Sequence, residues 1–191
     1  MSLCSSNITK DKTPIKSLKN LKLNNSEDAD LIESISCIIE DTIKRNKSRK
    51  KYSKKSVFYC QDEMLPISIY SYIYNIFSCL NLEFSTIVLS LININRLLER
   101  SRDYLSVNNF YKLFITSCLL NSKMNEDQLY DSECYALAGK IDKSEIIFLE
   151  KKFFEAVDYK LFVNEEVYRR YYNFIKNRVI KQTNNLDSKK D

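Results

Sequence analysis

Apolar residues recur along this chain at the spacing of amphipathic helices, separated by short polar joints. Leu31, Ile32, Ile35, Ile38, Ile39 and Ile43 form a first stripe, with Asp28 and Asp30 placed to start it. Pro66 marks the next start. Ile69, Tyr70, Ile73, Ile76, Phe77 and Leu80 then share one face, with Ser68, Ser71, Asn75 and Ser78 opposite, until Asn81 breaks the pattern. Phe84, Ile87, Val88, Leu91 and Leu98 trace a further stripe, with Asn95 inside it as a satisfied buried amide. Ser106 suits the N-cap of a helix carrying Val107, Phe110, Tyr111, Phe114, Ile115 and Cys118. A short helix near Ser132 to Ala138 follows, and Gly139 is placed as its left-handed terminator. Asp142-Lys143-Ser144-Glu145 has the form of a capping box, opening a helix with Ile146, Leu149, Phe153, Phe154 and Val157 inward. Asn164 can cap a last helix through Val167, Tyr168, Tyr171, Tyr172, Ile175 and Val179. No repeat or heptad register persists, so the expectation is a compact all-α domain.

Composition narrows the chemistry. The 191 residues include one Gly, two Pro and no His. Turn-rich β folds and Gly-lined phosphate loops are disfavoured, because both need positive φ or close backbone approach. Without His, imidazole acid–base catalysis, Ser-His or Cys-His nucleophiles and the usual zinc sites are excluded. An enzyme built from carboxylates finds no support in the sequence. Six cysteines lie apart with no CxxC pair, and several fall in helical stripes, where reduced Cys acts as a small hydrophobe. The opening residues lack the charged start and apolar run of a signal peptide, and no apolar stretch approaches the ~18–20 residues of a bilayer span. The expected setting is a reducing compartment, cytosol or nucleus.

Lys44, Arg45, Lys47, Arg49, Lys50, Lys51, Lys54 and Lys55 form an acid-free run. Removing these eight charges from the net +5 leaves −3, so the protein is mildly acidic with one basic segment. The run reads first as a solvated linker and second as a nuclear-import patch or nucleic-acid contact, for which Tyr52 alone makes no stacking platform. The organisation is then a flexible N-terminus (1–27), an N-terminal helix (28–46), a basic linker (47–62), a central helical domain (63–163), a C-terminal helix (164–180) and a polar tail (181–191). Two charges stand out. Glu150 falls on an apolar stripe, where it needs a partner. Taken alone, it would pair with a Lys or Arg of its own chain, and Lys123 would be a solvated surface lysine.

The segments Pro66-Ile67-Ser68-Ile69 with Tyr72-Ile73, Asn93-Ile94-Asn95-Arg96, Leu113-Phe114-Ile115-Thr116-Ser117, Ser122-Lys123, Asp127, Tyr130, Tyr135-Ala136, Gly139-Lys140-Ile141, Glu145 and Leu149-Glu150 with Phe153-Phe154 occur in an informative order. In order and spacing they resemble the cyclin box of the P-type (U-type) cyclins of the phosphate-pathway group, over about residues 31–175. The resemblance implies a five-helix box between an extra N-terminal helix and a C-terminal helix. It also implies a regulatory, non-catalytic protein that forms a heterodimer with a cyclin-dependent kinase and activates it by packing on its αC helix. No cofactor, metal, small-molecule substrate or membrane is implied. Lys123 and Glu150 match the pair that hydrogen-bonds kinase backbone; Leu120, Tyr159 and Leu161 match the apolar positions beside them. On that reading the partner of Glu150 belongs to another chain. Asn95 stands where the family has the Asp of Tyr-Ile-Asp-Arg, and Asn75 where it has the Arg that pairs with it, so two amides could replace an ion pair. An all-α cyclin-fold transcription or nucleic-acid-binding module, or an adaptor that binds without activating, remains the alternative.

Overall fold

The computed structural model describes residues 26–47, 56–60, 67–127 and 130–187. Most of the expected flexible N-terminus, Pro66 and five of the eight cations of the basic run lie outside the described residues. The helices are α1 (Ser26–Asn46), α2 (Ile69–Cys79), α3 (Phe84–Ser101), α4 (Val107–Asn125), α5 (Ser132–Gly139), α6 (Lys143–Ala156) and α7 (Glu165–Asp187). Among the described residues there is no strand. The five helices α2–α6 stand between a leading and a closing helix, the architecture expected, and α7 runs past the anticipated end at 180.

Helix α4 is the axis of the box. It packs on α3, α5 and α6, and every residue from Leu113 to Ser122 is buried. Its polar side chains are absorbed locally or by neighbours, as burial requires. Thr116 Oγ1 donates to Lys112 O at 2.7 Å, and Ser117 Oγ donates to Ser90 O at 3.0 Å. Tyr72, invisible on the α2 stripe, is fully buried on this core and donates to Tyr111 O at 3.0 Å. Phe58, inside the stretch expected as linker, also reaches the core, its ring edge-on to Phe153 at 5.9 Å. The adjacent Cys60 N–H donates to Asn108 O at 2.7 Å.

The outer helices close the box. Helix α1 packs on α2 and α7, burying Leu31, Ile32, Ile35, Ile39 and Ile43. Helix α7 returns over α3 and α1 with Ile175 buried, and Arg178 pairs with Asp41. Asn164 caps α7 as expected, accepting from Val167 N–H at 2.9 Å.

Other helix ends depart from expectation. Gly139 is the last residue of α5 and has no positive φ; Lys140 takes the left-handed position at φ 56°, ψ 43°. What Gly139 supplies is clearance, since a Cβ there would lie 2.7 Å from Ile115 Cγ1 on α4. Gly139→Ala should therefore lower stability by about 1–2 kcal/mol, overpacking outweighing the gain in helix propensity. Lys140→Gly should leave the melting temperature unchanged or raised, because it relieves a left-handed non-glycine residue. Thermal melts of the two variants separate clearance from termination. At α6, Asp142 holds the N-cap position but makes no side-chain cap bond, and Glu145 instead pairs with Lys112 at 2.7 Å. At α4, Ser106 is the N-cap as expected, and its N–H donates to Asn109 Oδ1 at 2.9 Å.

The buried thiol of Cys118 is pushed up to about 12 from 9.0, chiefly by burial, against a lowering hydrogen bond with Ser90. A raised folded pKa favours the protonated fold: its stabilisation is complete below 9.0 and is lost as pH rises from there towards 12. Denaturant melts should show stability falling by about 1.4 kcal/mol per pH unit above 9 from this group. Burial also raises Tyr72 and Tyr135, which steepen the loss above 10. Cys118→Ala should flatten the slope between pH 9 and 10.

Candidate functional site

Helix α4 ends with Lys123 in its last turn, and α6 carries Glu150 near its middle. The two helices pack on each other, which brings Lys123 Nζ to 2.5 Å from Glu150 Oε1. Their side chains are 37% and 21% exposed, so the pair lies along the surface seam between α4 and α6. This corrects the expectation that Glu150 waits for a partner from another chain. Helical phase puts Glu150 at the edge of the apolar stripe, and only the packing of α6 on α4 shows that Lys123 waits at that edge.

The remaining expected site residues divide by depth. Leu120 and Leu161 are 6% and 5% exposed, packed into the core rather than presented at the surface. Tyr159 is 63% exposed, its ring edge-on to Phe154 at 5.1 Å, one turn beyond Glu150. Two exposed apolar side chains at the site escape the sequence reading: Met124, next to Lys123, and Ile147. The spacing i−3 from Glu150 places Ile147 on the same helix face and could have revealed it.

Tyr159 and Leu161 lie on the joint between α6 and α7, where Asp158 and Tyr159 have φ 57° and 58°. Two consecutive non-glycine residues in the left-handed region need outside support. A polar face of α3 supplies it. Arg100 Nε donates to Ala156 O at 3.1 Å, and Arg96 Nη1 donates to Phe162 O at 2.8 Å. Asn93 Nδ2 donates to Leu161 O at 3.2 Å and to Asn121 Oδ1 at 2.9 Å. Asn93, Arg96 and Arg100 follow at i, i+3 and i+7, so one stripe holds the joint at three carbonyls. Asn121 sits between Leu120 and Lys123 on α4, which ties this support to the ion pair.

The buried amide of α3 is thus Asn93, not Asn95. Asn95 is exposed and donates to Glu99 Oε1 at 2.7 Å. The proposed exchange of an ion pair for an Asn75–Asn95 amide pair does not form, since Asn75 lies on α2 and Asn95 bonds Glu99 on its own helix and Tyr171 on α7. Among the described residues no cluster of His, Cys, Asp and Glu could hold a metal, and no helix is long and apolar enough to cross a membrane.

Comparison with known proteins agrees with this architecture. The cyclin family model matches residues 12–161. Cyclin-U2-1 of Arabidopsis thaliana is 30% identical over 146 residues, 74% of this chain and 65% of the relative. Cyclin-U4-3 of the same plant is 32% identical over 111 residues, 57% of this chain and 50% of the relative. Cyclin-P3-1 of Oryza sativa subsp. japonica is 24% identical over 181 residues, 89% of this chain and 77% of the relative. The chain spans between half and two thirds of the length of the first two relatives. The helical box, the leading helix docked on it and these matches together make the chain a member of the cyclin family, within its U- and P-type group, whose proteins regulate rather than catalyse.

Proposed function

We propose that this chain binds and activates a cyclin-dependent serine/threonine kinase by packing on the αC helix of its small lobe. The observation that carries the reading is the Lys123–Glu150 pair at the surface seam, with Ile147 exposed one turn before Glu150, Met124 exposed next to Lys123 in sequence and Tyr159 exposed on the joint after α6. An ammonium and a carboxylate held 2.5 Å apart offer a donor and an acceptor to backbone groups of a partner, while the apolar neighbours supply area to bury. The polar face of α3 fixes the joint that presents Tyr159. Holding αC inward lets its Glu pair with the kinase Lys that positions the ATP phosphates. Binding that prefers this arrangement shifts the kinase towards its active state.

The test is co-purification from a cell extract with identification of the bound kinase, followed by a phosphorylation assay with and without this chain. A kinase whose activity rises on adding the chain supports the proposal. A kinase retained but not activated makes the chain an adaptor, and retention of no kinase overturns the reading.

A further inference from the structure

Helices α1 and α7 pack on each other, and towards the end of α1 they flank an open recess of about 380 Å³. Ile38, Asp41, Lys44 and Arg45 of α1 and Phe174 and Arg178 of α7 line it, none of them part of the Lys123–Glu150 site. All six are half-buried or exposed, so a ligand can reach each of them, and Phe174 is 60% exposed. Arg178 engages Asp41 across the two helices. Arg45 is laid back along α1, with Nε donating to Asp41 O at 3.3 Å and Nη2 to Thr42 Oγ1 at 3.2 Å. Lys44 is exposed, and its ammonium has no partner among the described residues. Cations in the last turn of α1 answer the negative end of that helix, which accounts for Lys44 and Arg45 taken singly. The recess adds a third cation and an exposed aromatic ring from a second helix.

We propose that this recess binds a phosphorylated serine or threonine of a partner protein, its phosphate among Lys44, Arg45 and Arg178 and an adjacent apolar residue against Phe174 and Ile38. Three cations against one acid leave the recess at +2. A phosphate monoester carries about −1.5 to −2 at neutral pH, so it balances that charge where a single carboxylate leaves part of it unanswered. A guanidinium has several N–H donors in a planar fork, so Arg178 can hold Asp41 and still present N–H groups to a phosphate oxygen. Arginine clusters recognise phosphorylated motifs in this way. A phosphodiester of nucleic acid carries one charge per unit and has no use for the aliphatic wall of Ile38, so the recess favours a phosphoprotein.

A peptide library with a central phosphoserine and randomised flanks, presented to the full chain beside matched libraries centred on serine and on glutamate, tests this. The phosphoserine library should be retained about tenfold better than either, with apolar residues enriched next to the phosphoserine. Lys44→Glu should remove that preference, and Phe174→Ala should weaken the selected peptides about threefold, in proteins with unchanged circular dichroism. Both positions are exposed and stand outside the Arg178–Asp41 pair, so the fold does not depend on them. Affinity should fall as pH is lowered through about 6, where the monoester loses its second charge and the chain has no His to titrate. Equal retention of the serine or glutamate library, unaltered binding by Lys44→Glu, or absence of the pH effect overturns the proposal. So does a DNA duplex, a phosphatidylserine vesicle or inorganic phosphate that binds as tightly as the peptides with the same dependence on Lys44 and Phe174. No kinase enters the measurement, so its result is independent of the Lys123–Glu150 site.

Discussion

Replacing Lys123 and Glu150 together with alanine should abolish retention of the kinase while leaving helicity and melting nearly unchanged. Both side chains are partly exposed, so losing their mutual attraction costs the fold at most about 1 kcal/mol. At an interface the same groups become desolvated, and truncating a buried hydrogen-bonded charge costs about 2–5 kcal/mol, a loss of some 30- to several thousand-fold in affinity. Glu150→Lys alone should be worse, because it places a second cation against Lys123. The exchanged pair Lys123→Glu/Glu150→Lys is the more incisive variant. It keeps an ion pair across the α4–α6 seam, and so the fold, but reverses donor and acceptor towards the kinase. Pulldown with matched circular dichroism reads all three. Undiminished kinase retention by the folded double-alanine protein would remove the pair from the interface.

Asn93→Ala should produce the largest loss of stability among single polar substitutions, about 2–4 kcal/mol. The side chain is fully buried and donates to both Asn121 Oδ1 and Leu161 O, while its own oxygen accepts from Arg96 Nη1 at 3.2 Å. Removing it strips the donor from two buried acceptors, each worth about 1–3 kcal/mol. Asn93→Asp should be at least as damaging, since a carboxylate would face those same two oxygens. The effect should not stop at melting. With Leu161 O released, the joint bearing the left-handed Asp158 and Tyr159 loses one of its three holds, and kinase retention should weaken well below the melting temperature. Asn93→Ala with unaltered melting would show that the amide is not the hub its bonds describe.

Helix existence was legible in the sequence because most stripes are one-sided, as on α1, where the apolar positions recur cleanly. The α3–α4 pair was harder to phase. Helix α4 is enclosed all round from Leu113 to Ser122, and α3 buries Thr86, Ser90 and Asn93 as well as its aliphatic residues. On α4 there is no polar side from which to read a phase, and on α3 the burial of Thr86, Ser90 and Asn93 blurs it, which is why the stripe points to Asn95 rather than Asn93. Gly139 was misread for a different reason. A glycine near a helix end is usually a matter of φ, but here the constraint is the approach of α5 to Ile115, a contact between segments distant in sequence. Asp142 and Glu145 have the residue types of a capping box, yet Lys112 on α4 takes Glu145. Lys123 and Glu150 enter as expected site residues through resemblance alone. Their bond to each other, and the α3 stripe beneath Tyr159 and Leu161, depend on tertiary packing that no local pattern records.

The docking of α1 has a consequence for proteolysis. Its buried face, Ile32, Ile35, Ile39 and Ile43, is held by α2 and α7. Trypsin cutting after Lys47, exposed just past the end of α1, would therefore divide the polypeptide without dividing the protein. Two bands on a denaturing gel should elute as one species from a sizing column, and a separately made α1 peptide should rebind the remaining helices. The leading helix would then be a replaceable part, exchangeable in trans, with the rest of the box as its receptor.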